Sequence, residues 1–138
     1  MGKESTDVEV AVYPYAVVRY DPERYIGKVI WTGNPNPDEY KIPFMTILEW
    51  AHKGNKVTRF MSDTRDQGVV SPENRKWFEK EMVPAAMAAG CTRATAITGG
   101  NVFKKYYLNM LLSAINKFGM PFKISSSEEE AVAFLMEG

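Results

Sequence analysis

What most constrains this chain of 138 residues is a repeated change of hydrophobic period, in which short strand-like runs are followed by longer runs with helical spacing. KVTRFMSD at 56–63, TRATAIT at 92–98 and PFKI at 121–124 read as strands, and a helical pattern separates each from the next. A helix between two strands of one sheet carries the chain back to the starting edge, so such strands run parallel. The predicted class is therefore α/β, a mixed and mostly parallel sheet with about four helices.

The beginning of the chain departs from that rhythm. VEVAVY at 8–13 alternates Val8, Val10 and Val12 against Glu9, Ala11 and Tyr13, the period of a half-buried strand, and Pro14 ends or bends it. YAVVRY then turns through Asp21-Pro22-Glu23 toward IGKVIWTG at 26–33. For so short a connection antiparallel pairing is the simplest reading, which gives an N-terminal hairpin.

Each helical run carries its own start and stop signals. Asn36 caps the first with Pro37 just inside; Tyr40, Phe44, Ile47, Leu48 and Ala51 share a face, Gly54 or Asn55 closes it, and Pro43 predicts a kink or a restart. Ser71-Pro72 opens the second, with Trp77, Phe78, Met82, Ala85, Ala86 and Ala89 as its apolar face, Gly90 at its end and a late kink at Pro84. The third follows Gly99-Gly100-Asn101, with Phe103, Tyr107, Met110, Leu111, Ala114 and Phe118 in register before Gly119. Ser127-Glu128-Glu129-Glu130 begins the last in capping-box spacing.

Composition narrows the function classes. With 45% apolar residues the chain is long enough for one packed domain, expected over 8–138 after a flexible N-terminus at 1–7. Seventeen basic residues balance seventeen acidic ones, so no overall field favours nucleic acid. No apolar run approaches the length of a membrane span, and Cys91, the lone cysteine, fits a reducing compartment; the expectation is a cytoplasmic protein. Neither a cofactor motif nor a catalytic constellation stands out.

The strand-to-loop segment FMSDTRDQGVVSPE, the helix WFEKEMVPAAMAAG with its late proline, and the following TRATAIT resemble the SpoIIAA-like proteins of the STAS superfamily, and more closely the uncharacterised bacterial branch known as STAS-like or CRAL-TRIO-like. The resemblance covers most of residues 15–136. It implies a compact βα superhelix that is not an enzyme and acts as a regulatory or ligand-sensing module. Anti-sigma-factor antagonists of this superfamily carry a regulatory serine after an aspartate at a strand end, in a sequence like DSSG. Here the strand end reads Asp63-Thr64-Arg65-Asp66, and neither Ser62, Thr64 nor Ser71 matches that pattern, so the phosphorylation switch is not carried over.

Two turns are the candidate site for a ligand or a protein partner. Asp63, Thr64, Arg65 and Asp66 follow one strand; Thr98, Gly99, Gly100 and Asn101 follow the next. In open α/β sheets, ligands gather outside the carboxyl ends of the strands, and parallel strands would bring both turns to one edge. Arg65 would supply a charged fork, and the amides at Gly100 and Asn101 donors at a helix start, suited to a carboxylate, a phosphate or an acidic side chain. The alternatives are an internal ion pair of Arg65 with Asp63 or Asp66, and glycines that serve the turn alone. Ser71 is a phosphorylation candidate whose plainer role is a helix cap. His52 is the only histidine and reads as a polar helix end, while Cys91 reads as a small core residue. Trp31, Trp50 and Trp77, with seven Phe and seven Tyr, either line a cavity for an apolar ligand or fill the core and a dimer surface. Two functions follow: a non-catalytic regulatory or protein-binding module, expected to be a homodimer, or a small carrier or sensor of an apolar or anionic metabolite.

Overall fold

The structure, a computed structural model, describes residues 7–68, 70–99 and 102–137, the side chains of 102–108 excepted. Strands β1 (Val8–Tyr13), β2 (Ala16–Asp21), β3 (Ile26–Trp31), β4 (Arg59–Asp63), β5 (Arg93–Ile97) and β6 (Phe122–Ser125) form one sheet in sequential order. The pairs β1–β2 and β2–β3 are antiparallel, and β3–β4, β4–β5 and β5–β6 are parallel. The change falls where the connections lengthen from turns to helices, as the alternating periods require.

The helices are α1 (Pro37–His52), α2 (Pro72–Trp77), α3 (Val83–Ala88), α4 (Val102–Lys117) and α5 (Glu128–Leu135). A π-turn at Phe78–Met82 joins α2 to α3, so 72–88 is one continuous helical stretch and the described residues hold four such stretches. The period of two in the strands divides the core. Val18, Val29, Trp31 and Phe60 meet Phe44, Phe78 and Ile115 on one face. Ile26, Met61 and Ile97 meet Ala131 and Leu135 of α5 on the other. The aromatic residues do fill the first face: Trp31 stacks on Tyr40 at 5.4 Å, and Phe44 touches the rings of Phe60, Trp77 and Phe78.

Several local expectations change. Helix α1 does not restart at Pro43; Pro43, Phe44 and Ile47 are all buried, and packing carries the helix through the lost donor. At Pro84 the disturbance takes the form of the π-turn, whose Val83 N–H donates to Phe78 O one residue before the proline. On α4 the expected apolar stripe holds at Leu111 and fails at Met110 and Phe118, while Ile115 joins it. Leu111 and Ile115 are buried while Met110 (58% exposed) and Phe118 (45%) face solvent. Among the described residues the helix packs chiefly on β6 and the π-turn, a narrow strip that one i, i+4 pair can fill. The side chains of Phe103 and Tyr107 lie outside the description. On α5 the Ser127 hydroxyl accepts from Glu130 N at 3.1 Å, but the returning half of the box is displaced: Glu130 Oε1 accepts from Ser126 N and Oγ, which holds its carboxyl down at about 2. By contrast Asn36 and Glu39 complete both halves on α1.

Candidate functional site

Registers Ile30↔Asp63, Asp63↔Ile97 and Ile97↔Ser125 end the parallel strands level with one another. The turns after β4 and β5 therefore open on one edge, as parallel strands demand. Thr64 is buried there, its N and Oγ1 both donating to Ile97 O at 2.8 Å, which fastens the first turn to β5. Thr98 is buried as well; its N donates to Ser125 O at 3.0 Å, and its Oγ1 has no hydrogen-bond partner among the described residues. Gly99 and Asp66 are exposed. Gly100 and Asn101, the expected amide donors, lie outside the described residues.

The Arg65 fork closes on Asp63 and not on Asp66. Arg65 Nε donates to Asp63 Oδ1 at 3.0 Å and Nη2 to Oδ2 at 2.6 Å, and the Arg65 backbone N adds a bond to Oδ1 at 3.2 Å. The hydrogen bond it donates to Asp63 raises the Arg65 pKa further, so the group stays a cation. A guanidinium has five N–H donors. Two meet Asp63, and the outer edge of Arg65, whose side chain is 44% exposed, keeps the rest toward solvent. The internal pair anticipated as the plain alternative is thus formed, and it orients the guanidinium without covering it.

The other singled-out residues have structural places. Ser71 Oγ accepts from Asn74 N at 3.1 Å and caps α2. His52 is exposed in the last turn of α1. Cys91 is buried, with Sγ donating to Arg93 O at 3.4 Å, and burial pushes its pKa up to about 11. Among the described residues no three His, Cys, Asp or Glu side chains are placed to hold a metal, and no helix is long and apolar enough to cross a membrane.

Three polar features escaped the sequence reading. Asp21, 2% exposed, accepts from the Glu23 and Arg24 amides and from Arg24 Nη1. Lys28, also buried, donates to Asp7 at 2.9 Å and to Glu128 at 3.4 Å, joining β3 to the start of α5. A lysine inside the apolar run IGKVIW was the available signal for the second. Asn74 is the third, 5% exposed behind its own cap. Nothing in its local spacing marks it out.

Two spaces within the core are small. One apolar cavity, bounded by Ile47, Val57, Phe78, Met82 and Ile115, measures about 30 Å³; another, beneath Tyr40, Ser62, Thr64 and Leu111, is the same size. Outside the core, a groove of about 380 Å³ runs along α1 past Lys41, Ile42, Met45, Glu49 and His52.

Comparison with protein-family models and with curated proteins gives no match. Two solved structures are similar. An uncharacterised protein of the DUF3478 family from Shewanella loihica PV-4, with a SpoIIAA-like fold, is 15% identical over 98% of each chain, with a TM-score of 0.56. Apo-SiaC from Pseudomonas aeruginosa is 10% identical over 87% of this chain and 98% of its own, with a TM-score of 0.46. The first likeness, at full length in both directions, shows that this chain has a SpoIIAA-like fold.

Proposed function

We propose that the chain is a non-catalytic, STAS-like regulatory module that works by binding a protein, and that the turn after β4 is its contact surface. The observation that carries this is the Arg65 guanidinium, fixed by two side-chain bonds to Asp63 with its outer edge in solvent. A planar cation already oriented loses less entropy on meeting a partner's carboxylate, and a bidentate contact adds geometric selection. Asp63 is the positioning residue, and Thr64 holds the turn against β5. Asp66, Thr98, Gly99, Gly100 and Asn101 would frame the contact along the same edge. The exposed Ile42 and Met45 on α1 offer apolar area to the same kind of partner.

The alternative, a carrier of an apolar metabolite, asks for an interior chamber. A benzene-sized guest occupies a cavity of roughly 150 Å³, several times the 30 Å³ beneath the aromatic residues. Native mass spectrometry of protein purified from its own host distinguishes the two: the bare polypeptide mass agrees with the module, and a stoichiometric retained small molecule overturns it. We also infer a cytoplasmic homodimer. Its support is the edge strand β1, which leaves Val8 (42%) and Val12 (61%) exposed. Sedimentation showing only monomer at tens of micromolar would remove the dimer without touching the binding surface.

A further inference from the structure

Helix α4 is apolar on two sides. The row Leu111 and Ile115, at i, i+4 spacing, is buried in the core. The row beside it, Met110, Ala114 and Phe118, has the same spacing and is not buried: Met110 is 58% exposed, Phe118 is 45% exposed, and Ala114 lies half-buried between them. Phe118 still belongs to this row, because its N–H donates to Ile115 O at 3.0 Å before Gly119, with φ at 88°, turns the chain away. The next row outward, Asn109, Ser113 and Lys117, is polar and exposed. A single apolar ridge thus follows the border between the buried and the solvated sides of α4.

The form of that ridge suits another helix. In helix packing, an i, i+4 ridge of one helix seats in the groove between two such ridges of its neighbour. The order large, small, large leaves a hollow over Ala114 that receives one incoming side chain, with Met110 and Phe118 on either side of it. Methionine adapts its unbranched chain to whatever enters. A bilayer asks for a broader apolar face sunk among the acyl chains. One apolar residue per turn, bordered by Asn109 and Ser113, does not supply that face.

Charge selects among helices. The chain as a whole balances seventeen basic against seventeen acidic residues, yet α4 contains Lys104, Lys105 and Lys117 and neither Asp nor Glu. Arg19, Arg24, Lys28, Arg65, Arg93 and Lys123 each face a carboxylate, whereas Lys117, exposed beside Phe118, makes no ion pair with a described residue. The α4 of a second copy would set lysine against lysine, while a helix with Asp or Glu beside its apolar row meets these charges with the opposite sign. We propose that the Met110–Ala114–Phe118 ridge is a docking site for an acidic amphipathic helix of another protein. Apolar residues of that helix at i, i+4 and i+7 span the ridge, and a carboxylate faces Lys117. This surface is distinct from the Arg65 turn and does not rest on it.

Two synthetic helical peptides test the assignment, both with Leu at i, i+4 and i+7, one flanked by Glu and the other by Lys. Each is titrated into the ¹⁵N-labelled full chain, and vesicles of phosphatidylglycerol are titrated separately. The Glu peptide is expected to give saturable shifts at the amides of Met110, Ala114 and Phe118 and to bind about tenfold more tightly than the Lys peptide at low salt, the gap narrowing as salt rises. Met110→Glu and Phe118→Ser, both at exposed positions, should keep the wild-type Tm and lose these shifts. Absence of saturable shifts from the Glu peptide in the wild-type chain overturns the site, and shifts that survive in both variants overturn its location. Equal binding of the two peptides overturns the choice of an acidic partner. Vesicle binding without peptide binding assigns the ridge to a membrane surface and overturns the helix. A wild-type dimer that Met110→Glu converts to monomer in sedimentation assigns the ridge to a second copy, and overturns the proposal as well.

Discussion

Replacing Ser71 separates a structural cap from a charge-operated switch. Ser71→Ala removes the acceptor for Asn74 N in a partly buried helix start, whereas Ser71→Asp keeps an acceptor of similar reach and adds a charge favoured at that end. A lost cap is worth about 1 kcal/mol. At about 2.1 cal/mol/K per residue, a chain of 138 residues unfolds with an entropy near 0.29 kcal/mol/K, so Ser71→Ala should lower Tm by about 3.5 °C. Ser71→Asp should move it by less than about 1 °C, since Asp caps nearly as well as Ser. Urea denaturation followed by circular dichroism gives the same comparison at 25 °C, with the slope unchanged if only the native state is affected. Asp less stable than Ala would refute the cap as the role of Ser71, because the only new element in Asp is its charge.

Three further outcomes follow from the geometry. Burial pushes the Asp21 carboxyl upward, but the hydrogen bonds from Arg24 and from the Glu23 amide outweigh it and hold the folded-state value below the ordinary range. Its contribution is complete above the unfolded value of about 3.9 and is lost as pH falls through the lowered folded value, so the urea midpoint of Asp21→Asn should fall less than that of wild type between pH 6 and pH 3. Gly68→Ala forces the exposed Asn34 carboxamide to swing aside and should cost less than about 1 kcal/mol, and Asn34→Ala should remove most of that cost in a double-mutant cycle; simple additivity would contradict the contact. Cys91, buried and with its pKa near 11, should resist maleimide at pH 7.5 in the native chain and react on unfolding; rapid native labelling would contradict its burial.

The strand and helix order was legible because the periods of two and 3.6 are written in different residues along the chain. Val29 and Trp31 alternate with Lys28 and Ile30, and Tyr40, Phe44, Ile47 and Leu48 fall on one helical face. Proline effects were legible as positions and not as outcomes. Pro43 is absorbed by burial and Pro84 by a π-turn, and both depend on neighbours far away in sequence. Part of the α4 stripe was missed for a similar reason: Leu111 was placed correctly, but Met110 and Phe118 are as apolar as Ile115, and the strip offered by β6 and the π-turn decides between them. At the edge, the charges of the turn could be read, but the choice of Asp63 over Asp66 depends on Asp63 ending its strand, where both carboxylate oxygens face the returning guanidinium. The burial of Asn74 could not be read at all, because it depends on neighbours beyond its own helix.

The most direct test of the binding surface is affinity capture from the native host with wild type and Arg65→Ala at equal loading, quantified by mass spectrometry, with the melting temperature of each protein as control. The fork is exposed, so its removal should change Tm little, while a defined polypeptide captured by wild type should be depleted from the Arg65→Ala sample. An identical capture profile together with a lowered Tm would contradict the account and leave the Asp63–Arg65 turn as a brace between β4 and α2.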